Sequence, residues 1–320
     1  MKYQYVFKRT DQLTEQEKKD FIELLAVAPY SVEALAEFDQ EYSLTPLGYS
    51  YHGFVMAGDS IVGAYNTIPC TYKYFEKNVI FCQTVDTMIH KEHRNSPFHL
   101  SRICKLVDDA MKQDGVSFVW GVPNQAFYPY AQKVLSFRFF GELDFYILLL
   151  NLSVISRMLR FVDPIYRACV RTLIYLPNMP NFCEHDMPIE KVSDELFYRQ
   201  RYNHRHKICD LKKGGKSTYR LVKSRTDSKE LLILDVSPLT AANLAETMRT
   251  LYAVGVAEKA DYILYQGRIP FPFLKIVWVP HFMRRSKIRM LGKILNPELI
   301  DDRVFDIKNW NINQSNMDVP

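Results

Sequence analysis

Residues 86–102 read DTMIHKEHRNSPFHLSR, and this stretch decides the fold. It begins inside an apolar, β-branched run, NVIFCQTVDTMIH (78–90), which reads as a buried central strand. It ends inside a second pattern: from about Pro97, the residues Phe98, Ile103, Leu106, Val107 and Met111 recur at helical spacing until Gly115. Between strand and helix, Arg94, Asn95, Ser96 and Pro97 offer few side chains able to do chemistry. A loop of that kind works through its backbone.

Upstream, TEQEKKDFIELL (14–25) and SVEALAEFDQEY (31–42) have helical spacing, with Thr14 and Ser31 as N-cap residues. Two strand-like runs flank Ala57-Gly58-Asp59-Ser60, a hairpin signal. Downstream, SFVWGVPN (117–124) reads as a strand, QAFYPYAQKVL (125–135) as a short helix and FRFFGELDFYILLL (137–150) as one or two closing strands. The fold class is α/β, an α+β mixed sheet.

The segment 153–176 puts apolar residues on one face and Arg157, Arg160, Arg167 and Arg171 elsewhere, with Pro164 breaking or kinking it. It reads either as a packed connector or as a helix lying on a membrane surface. The second half repeats the order loosely. A hairpin and strand surround Thr226-Asp227-Ser228, TAANLAETMRTLYAVG (240–255) is helical, ADYILYQGR (260–268) is a strand, and FMRRSKIRMLGKIL (282–295) is a strand pair. The similarity of KLVDDAMKQDGVSFVWG to ETMRTLYAVGVAEKADYILYQG suggests a degenerate duplication. The expected division is 1–150, a connector over 151–178, and 179–320. Trp310, Asp306 and Asp318 are expected to lock the tail to the second half.

With 320 residues the chain can bury a real core in two domains or one large one. Its apolar content of 48% and charged content of 24% are ordinary for a folded soluble protein. The net charge of +5 comes without a long Lys/Arg run or an aromatic-basic patch, which argues against a nucleic-acid partner. Six cysteines occur without a CxxC pair, as expected of reduced thiols in the cytoplasm. The N-terminus has no apolar signal core, and FYILLLNLSVI is too short to span a bilayer before Arg157 and Arg160. His204, His206 and Cys209 lack a matching second pair of ligands, so no metal is expected. Cys183-Glu184-His185-Asp186 places nucleophile and base as sequence neighbours, which is not the geometry of a triad.

Two motifs give the chain a family resemblance. VDTMIHKEHRNSPF is similar to the D-T-M-V-H-P-x-x-R-G-x-G-I-F strand and turn of the GNAT (Gcn5-related N-acetyltransferase) superfamily, and GVPNQAFYPYAQKVLSFR is similar to its G-x-P-N-x-x-S-Y-P-x-x-x-K-x-G-F. FYILLL resembles its closing strand. The likeness covers the first half directly and the second as an echo, which implies two GNAT-like halves with a degenerate C-terminal one.

The resemblance implies acetyl-CoA as acyl donor. Backbone N–H groups at Arg94, Asn95, Ser96, Phe98 and His99, with the positive end of the helix dipole, would hold its pyrophosphate. The strand Thr87, Met88, Ile89 and His90 would hydrogen-bond the pantetheine arm and polarise the thioester carbonyl. Asn124 would bind a pantetheine amide or cap the next helix. Tyr128 sits where the family places a general acid. Asp86 is the general-base candidate or braces the turn, and Glu37 and Asp39 are fallback bases. The family's two loop glycines correspond to Asn95 and Pro97: Asn95 can adopt a left-handed conformation, and Pro97 either removes a donor or starts the helix. The implied function is transfer of an acetyl group to an amine of a small molecule, an amino sugar among them. Its rivals are a catalytically inactive GNAT-fold binding or scaffold protein and a FemAB-like aminoacyl transferase. The residues assign no oligomeric state.

Overall fold

Alternating Tyr3, Tyr5 and Phe7 form an N-terminal strand, β1 (Tyr3–Arg9), that the sequence reading did not include. The computed structural model describes residues 2–26, 35–177, 186–223, 228–284 and 287–317, with the side chains of 35–37 excepted. Ser31, Cys183-Glu184-His185, Thr226-Asp227, Asp318 and the Glu37 side chain lie outside the described residues.

After β1 come α1 (Glu15–Ala26), α2 (Leu35–Ser43), β2 (Tyr51–Ala57), β3 (Ser60–Tyr74), β4 (Lys77–Ile89), α3 (Phe98–Gln113), β5 (Phe118–Gly121), α4 (Tyr128–Lys133), β6 (Arg138–Glu142) and β7 (Phe145–Leu149). There follow α5 (Asp163–Tyr175), β8 (Ile189–Lys191), α6 (Glu195–Arg201), β9 (Lys207–Asp210), β10 (Lys216–Lys223), β11 (Lys229–Ser237), α7 (Ala241–Glu258), β12 (Tyr262–Gln266), β13 (Val277–Trp278), β14 (Arg289–Ile294) and β15 (Trp310–Asn311). Thr14 caps α1 as expected. Its hydroxyl accepts from the Glu17 amide while Glu17 Oε2 accepts from the Thr14 amide, a reciprocal box. Pro164 stands in the first turn of α5, ending a 3-10 stretch over Arg157–Val162.

Two mixed sheets are built on one plan. The first runs β1-β2-β3-β4-β5-β14-β6, with β8 beside β3 and β15 beside β8; the second runs β13-β7-β12-β11-β10-β9. In each, an antiparallel run (β2-β3-β4, then β9-β10-β11) leads through a helix (α3, α7) to a parallel strand (β5, β12). The strand beside that parallel strand is exchanged. β14, from the end of the chain, lies between β5 and β6, and β7 pairs with β12. Among the described residues, the segment 282–295 thus gives one strand in the first sheet, not a strand pair.

Side-chain alternation divides the core of the first sheet. Tyr51, Val55 and Tyr65 meet Ile103, Val107 and Met111 of α3, while Phe54, Ala64 and Ile68 meet Phe21 of α1 and Phe38 and Tyr42 of α2. The fit to α3 is closest at Gly53, where an added Cβ would lie 2.9 Å from Val107 Cγ2 and 3.1 Å from Ile103 Cβ. Gly53→Ala is expected to push α3 off the sheet at a cost of about 1–3 kcal/mol. Denaturant melts check it; a variant as stable as the parent would refute so close a seat.

In the second sheet α5 and α7 cover one face and α6 the other. A buried ion pair ties the sheets together, Lys191 Nζ of β8 lying 3.0 Å from Asp235 Oδ1 of β11. The tail departs from expectation. Trp310 lies in the core of the first sheet, stacked on Phe140 with ring centroids 5.2 Å apart. Beyond it, Asn313 bridges to Gly267 and donates from Nδ2 to Asp235 Oδ1 at 2.8 Å, so the tail joins both sheets. Asp306 caps a 3-10 turn, accepting from the Lys308 amide.

Candidate active site

β4 and β5 run side by side over Phe81–Gln83 opposite Phe118–Trp120 and then part. Gly121 marks the last close approach, since a Cβ there would meet Thr84 Oγ1 at 1.9 Å. Pro123 next removes a backbone donor from the departing strand. β4 continues to Ile89 with β3 on one side, leaving its other edge in the opening.

A bulge shapes that edge. Asn66 opposes Val85 and Ala64 opposes Met88, so Asp86 and Thr87 together face Tyr65, and Asp86 takes a left-handed φ of 44°. A buried hydrogen-bond chain holds the bulge. Asn66 Nδ2 donates to the Asp86 carbonyl at 3.0 Å, which leaves Asn66 Oδ1 to accept from His52 Nδ1 at 2.9 Å. His52 Nε2 then accepts from the Thr10 hydroxyl at 2.9 Å. Both ring nitrogens are used by a neutral imidazole, and burial pushes its pKa down to about 4.

This produces a pH dependence. The unfolded imidazole takes its proton near pH ~6.5, well before the folded one, so His52 contributes full stability above that pH. The contribution drains away as pH falls to about 4, a loss of about 3 kcal/mol. Urea melts at the two ends of that window measure it, and His52→Gln is expected to flatten the difference.

Asp86 points its carboxylate at Tyr42, whose hydroxyl donates to Oδ2. Asp39 lies on the exposed side of α2, paired with Lys18 at 2.9 Å. Tyr128 is the first residue of α4, half-buried, with the Arg289 guanidinium 5.1 Å from its ring centroid. Its hydroxyl makes no hydrogen bond among the described residues. Asn124 braces the turn that leads into α4, its Oδ1 accepting from the Phe127 amide at 2.9 Å.

Strand parity sorts the residues expected along β4. The His90 amide donates to the Val62 carbonyl, so His90 and, by alternation, Met88 turn their backbone groups toward β3. Thr87 and Ile89 therefore face the opening, and Ile89 O accepts from Arg94 Nε at 2.9 Å. His90 and Met88 drop out as backbone donors to a ligand there.

The following loop is braced by β1. Tyr3 donates to His93 Nδ1, Asn95 Nδ2 donates to Tyr3 Oη, His99 Nε2 donates to Asn95 Oδ1, and Tyr5 donates to His99 Nδ1, all within 2.8–3.2 Å. Burial, then Arg102 and His93, pulls the His99 pKa down, in keeping with a neutral ring whose Nδ1 accepts the Tyr5 hydrogen bond. Asn95 is not left-handed; its side chain fixes the turn instead. Pro97 stands at the N-cap of α3, and its carbonyl accepts from Tyr130 at 2.7 Å. The amides of Asn95 and Ser96 meet no acceptor among the described residues, and the Phe98 amide reaches only Ser96 Oγ at 3.3 Å. His99 follows in the first turn of α3, where amides lack intrahelical acceptors.

No family model matches the chain, and no curated protein matches it. Solved structures do. A conserved protein of unknown function from Enterococcus faecalis V583, described as a probable N-acyltransferase, shares 10% identity at a TM-score of 0.60, covering 92% of this chain and 73% of that one. A GCN5-related N-acetyltransferase from Anabaena variabilis ATCC 29413 shares 12% identity at 0.56, over 91% and 73%. One from Kribbella flavida shares 14% at 0.53, over 91% and 72%.

The chain has a GNAT-like fold. Within that fold, the parted strands, the bulge and the loop entering α3 form one continuous edge. The GNAT-like loop here lacks glycine but keeps unengaged amides at Asn95 and Ser96 and leaves the terminal guanidinium nitrogens of Arg94 without a partner among the described residues. Those groups fit a pyrophosphate. Tyr3, Tyr5, Tyr42, His52 and Asn66 escaped the sequence reading. Polar His52 and Asn66 inside apolar strand runs were the signal for the last two.

Proposed function

We propose that the protein is an acyl-CoA-dependent N-acyltransferase that moves an acetyl group to an amine of a small molecule, an amino sugar among the candidates. The observation that carries this reading is the GNAT-like edge along β4, which opens at the bulge and runs on into unengaged amides at Asn95 and Ser96. Acetyl-CoA, when bound, would supply an activated thioester. Asn95, Ser96, Phe98 and His99 would hold its phosphates through backbone amides, aided by Arg94, and Thr87 and Ile89 would hydrogen-bond its arm. Asp86, oriented by Tyr42, takes a proton from the acceptor amine directly or through water. Tyr128 returns a proton from its hydroxyl to the departing sulfur.

Calorimetric titration with acetyl-CoA is the test. Heat of binding and a raised melting temperature are expected; neither at millimolar ligand would remove the reading. One observation favours a second reading, a binding or scaffold protein without turnover. Where the family has two glycines, Asn95 is pinned by Tyr3 and His99, and Pro97 has no N–H to offer. A free-thiol assay with a panel of amines separates the two, because a scaffold releases no CoA.

A further inference from the structure

After β7 the chain passes through 3-10 turns over Leu152–Val154 and Arg157–Val162 into α5, and α5 buries only Asp163, Val170 and Ile174. The outward side is apolar to an unusual degree: Ile155 is 67% exposed, Met158 82%, Phe161 80% and Ile165 68%. At the far end of α5 the surface continues through Leu176, beside which Lys275 Nζ donates to the carbonyls of Ile174 and Leu176 at 2.9 and 2.7 Å.

Charge is interleaved with this surface. Arg157, Arg160 and Arg171 are exposed and form no ion pair among the described residues. The one acidic residue between 152 and 177 is Asp163. Its carboxylate is taken up by the Leu152 and Ser153 amides and the Ser153 hydroxyl. The local field is therefore positive, with nothing on the segment to offset it.

We propose that this surface docks on an anionic phospholipid membrane, with the apolar side chains at the headgroup–acyl boundary and the arginines on lipid phosphates. Charge complementarity selects this occupant. The charge is of one sign, the Asp163 carboxylate being taken up within the segment, which matches a uniformly anionic surface. Single-stranded nucleic acid is held by successive aromatic side chains, and of Ile155, Met158, Phe161 and Ile165 one alone is aromatic. Basic residues rimming inserted aliphatic side chains are the pattern of a helix lying in a lipid interface. Among the described residues no helix is long and apolar enough to cross a membrane, so the attachment is peripheral.

Flotation of the full chain with phosphatidylcholine vesicles, with and without about a third phosphatidylglycerol, tests the proposal. Binding only to the anionic vesicles, weakened by salt, is expected. The double variant Met158→Glu, Phe161→Glu and the triple variant Arg157→Gln, Arg160→Gln, Arg171→Gln should each bind about tenfold or more weakly. Their melting temperatures should match the parent's, because the altered side chains are exposed. No binding to anionic vesicles, or equal binding by the variants, overturns the proposal. So does a dimer seen by light scattering, or an RNA complex, that the same variants abolish while vesicle binding persists.

Discussion

Tyr128→Phe is expected to lower acyl-transfer turnover roughly 100- to 1000-fold while leaving acetyl-CoA affinity within about twofold. The substitution removes one oxygen from a half-buried ring at the start of α4 and keeps the ring's packing. No hydrogen bond among the described residues depends on that oxygen, so nothing else in the fold should shift. The Arg289 guanidinium, 5.1 Å from the ring centroid, retains its aromatic partner. A phenol O–H is suited to protonate a departing thiolate, and phenylalanine has no proton to give. Steady-state thiol release and calorimetry on the same preparation separate the two effects. Full turnover in the variant would reduce Tyr128 to a packing residue.

Trp310→Ala is expected to cost about 3–5 kcal/mol, a large part of the stability of an ordinary protein. Trp310 is fully buried, and its ring lies within 5.2–6.2 Å, centroid to centroid, of Phe140, Tyr72, Phe81, Phe118 and Trp120. Its indole N–H donates to the Val304 carbonyl at 2.8 Å, an acceptor that alanine would strand in the interior. Cavity and lost hydrogen bond act in the same direction. Urea melts give the value, and Trp310→Phe should recover part of it. A cost under about 1 kcal/mol would show that the tail is dispensable to the core.

The β4–α3 unit was legible because its signals are local: a β-branched run, then apolar residues at helical spacing. β1 was missed although Tyr3, Tyr5 and Phe7 alternate, because its role depends on β2 and on a loop about 90 residues away. The exchange of β14 and β7 was invisible for a stronger reason. Nothing local tells a short apolar strand which sheet it joins, so 282–295 reads as a strand pair within its own half. At the site, Asp86 stood out as a charge inside a strand. Its bulge did not, since Asn66 and Tyr42 impose that conformation from other elements. Asn95 could not be placed either, because its conformation is set by Tyr3 and His99 rather than by its own backbone preference.

The exchanged strands also constrain biosynthesis. β5 leaves the ribosome roughly 170 residues before the β14 that will lie against it. At about 5–20 residues per second, the nascent chain spends roughly 10–30 seconds with that edge open. An unpaired edge invites foreign strands. The first sheet must therefore wait for β14 to be synthesised, and a chain halted before residue 289 should be a client for chaperones rather than a working half-protein.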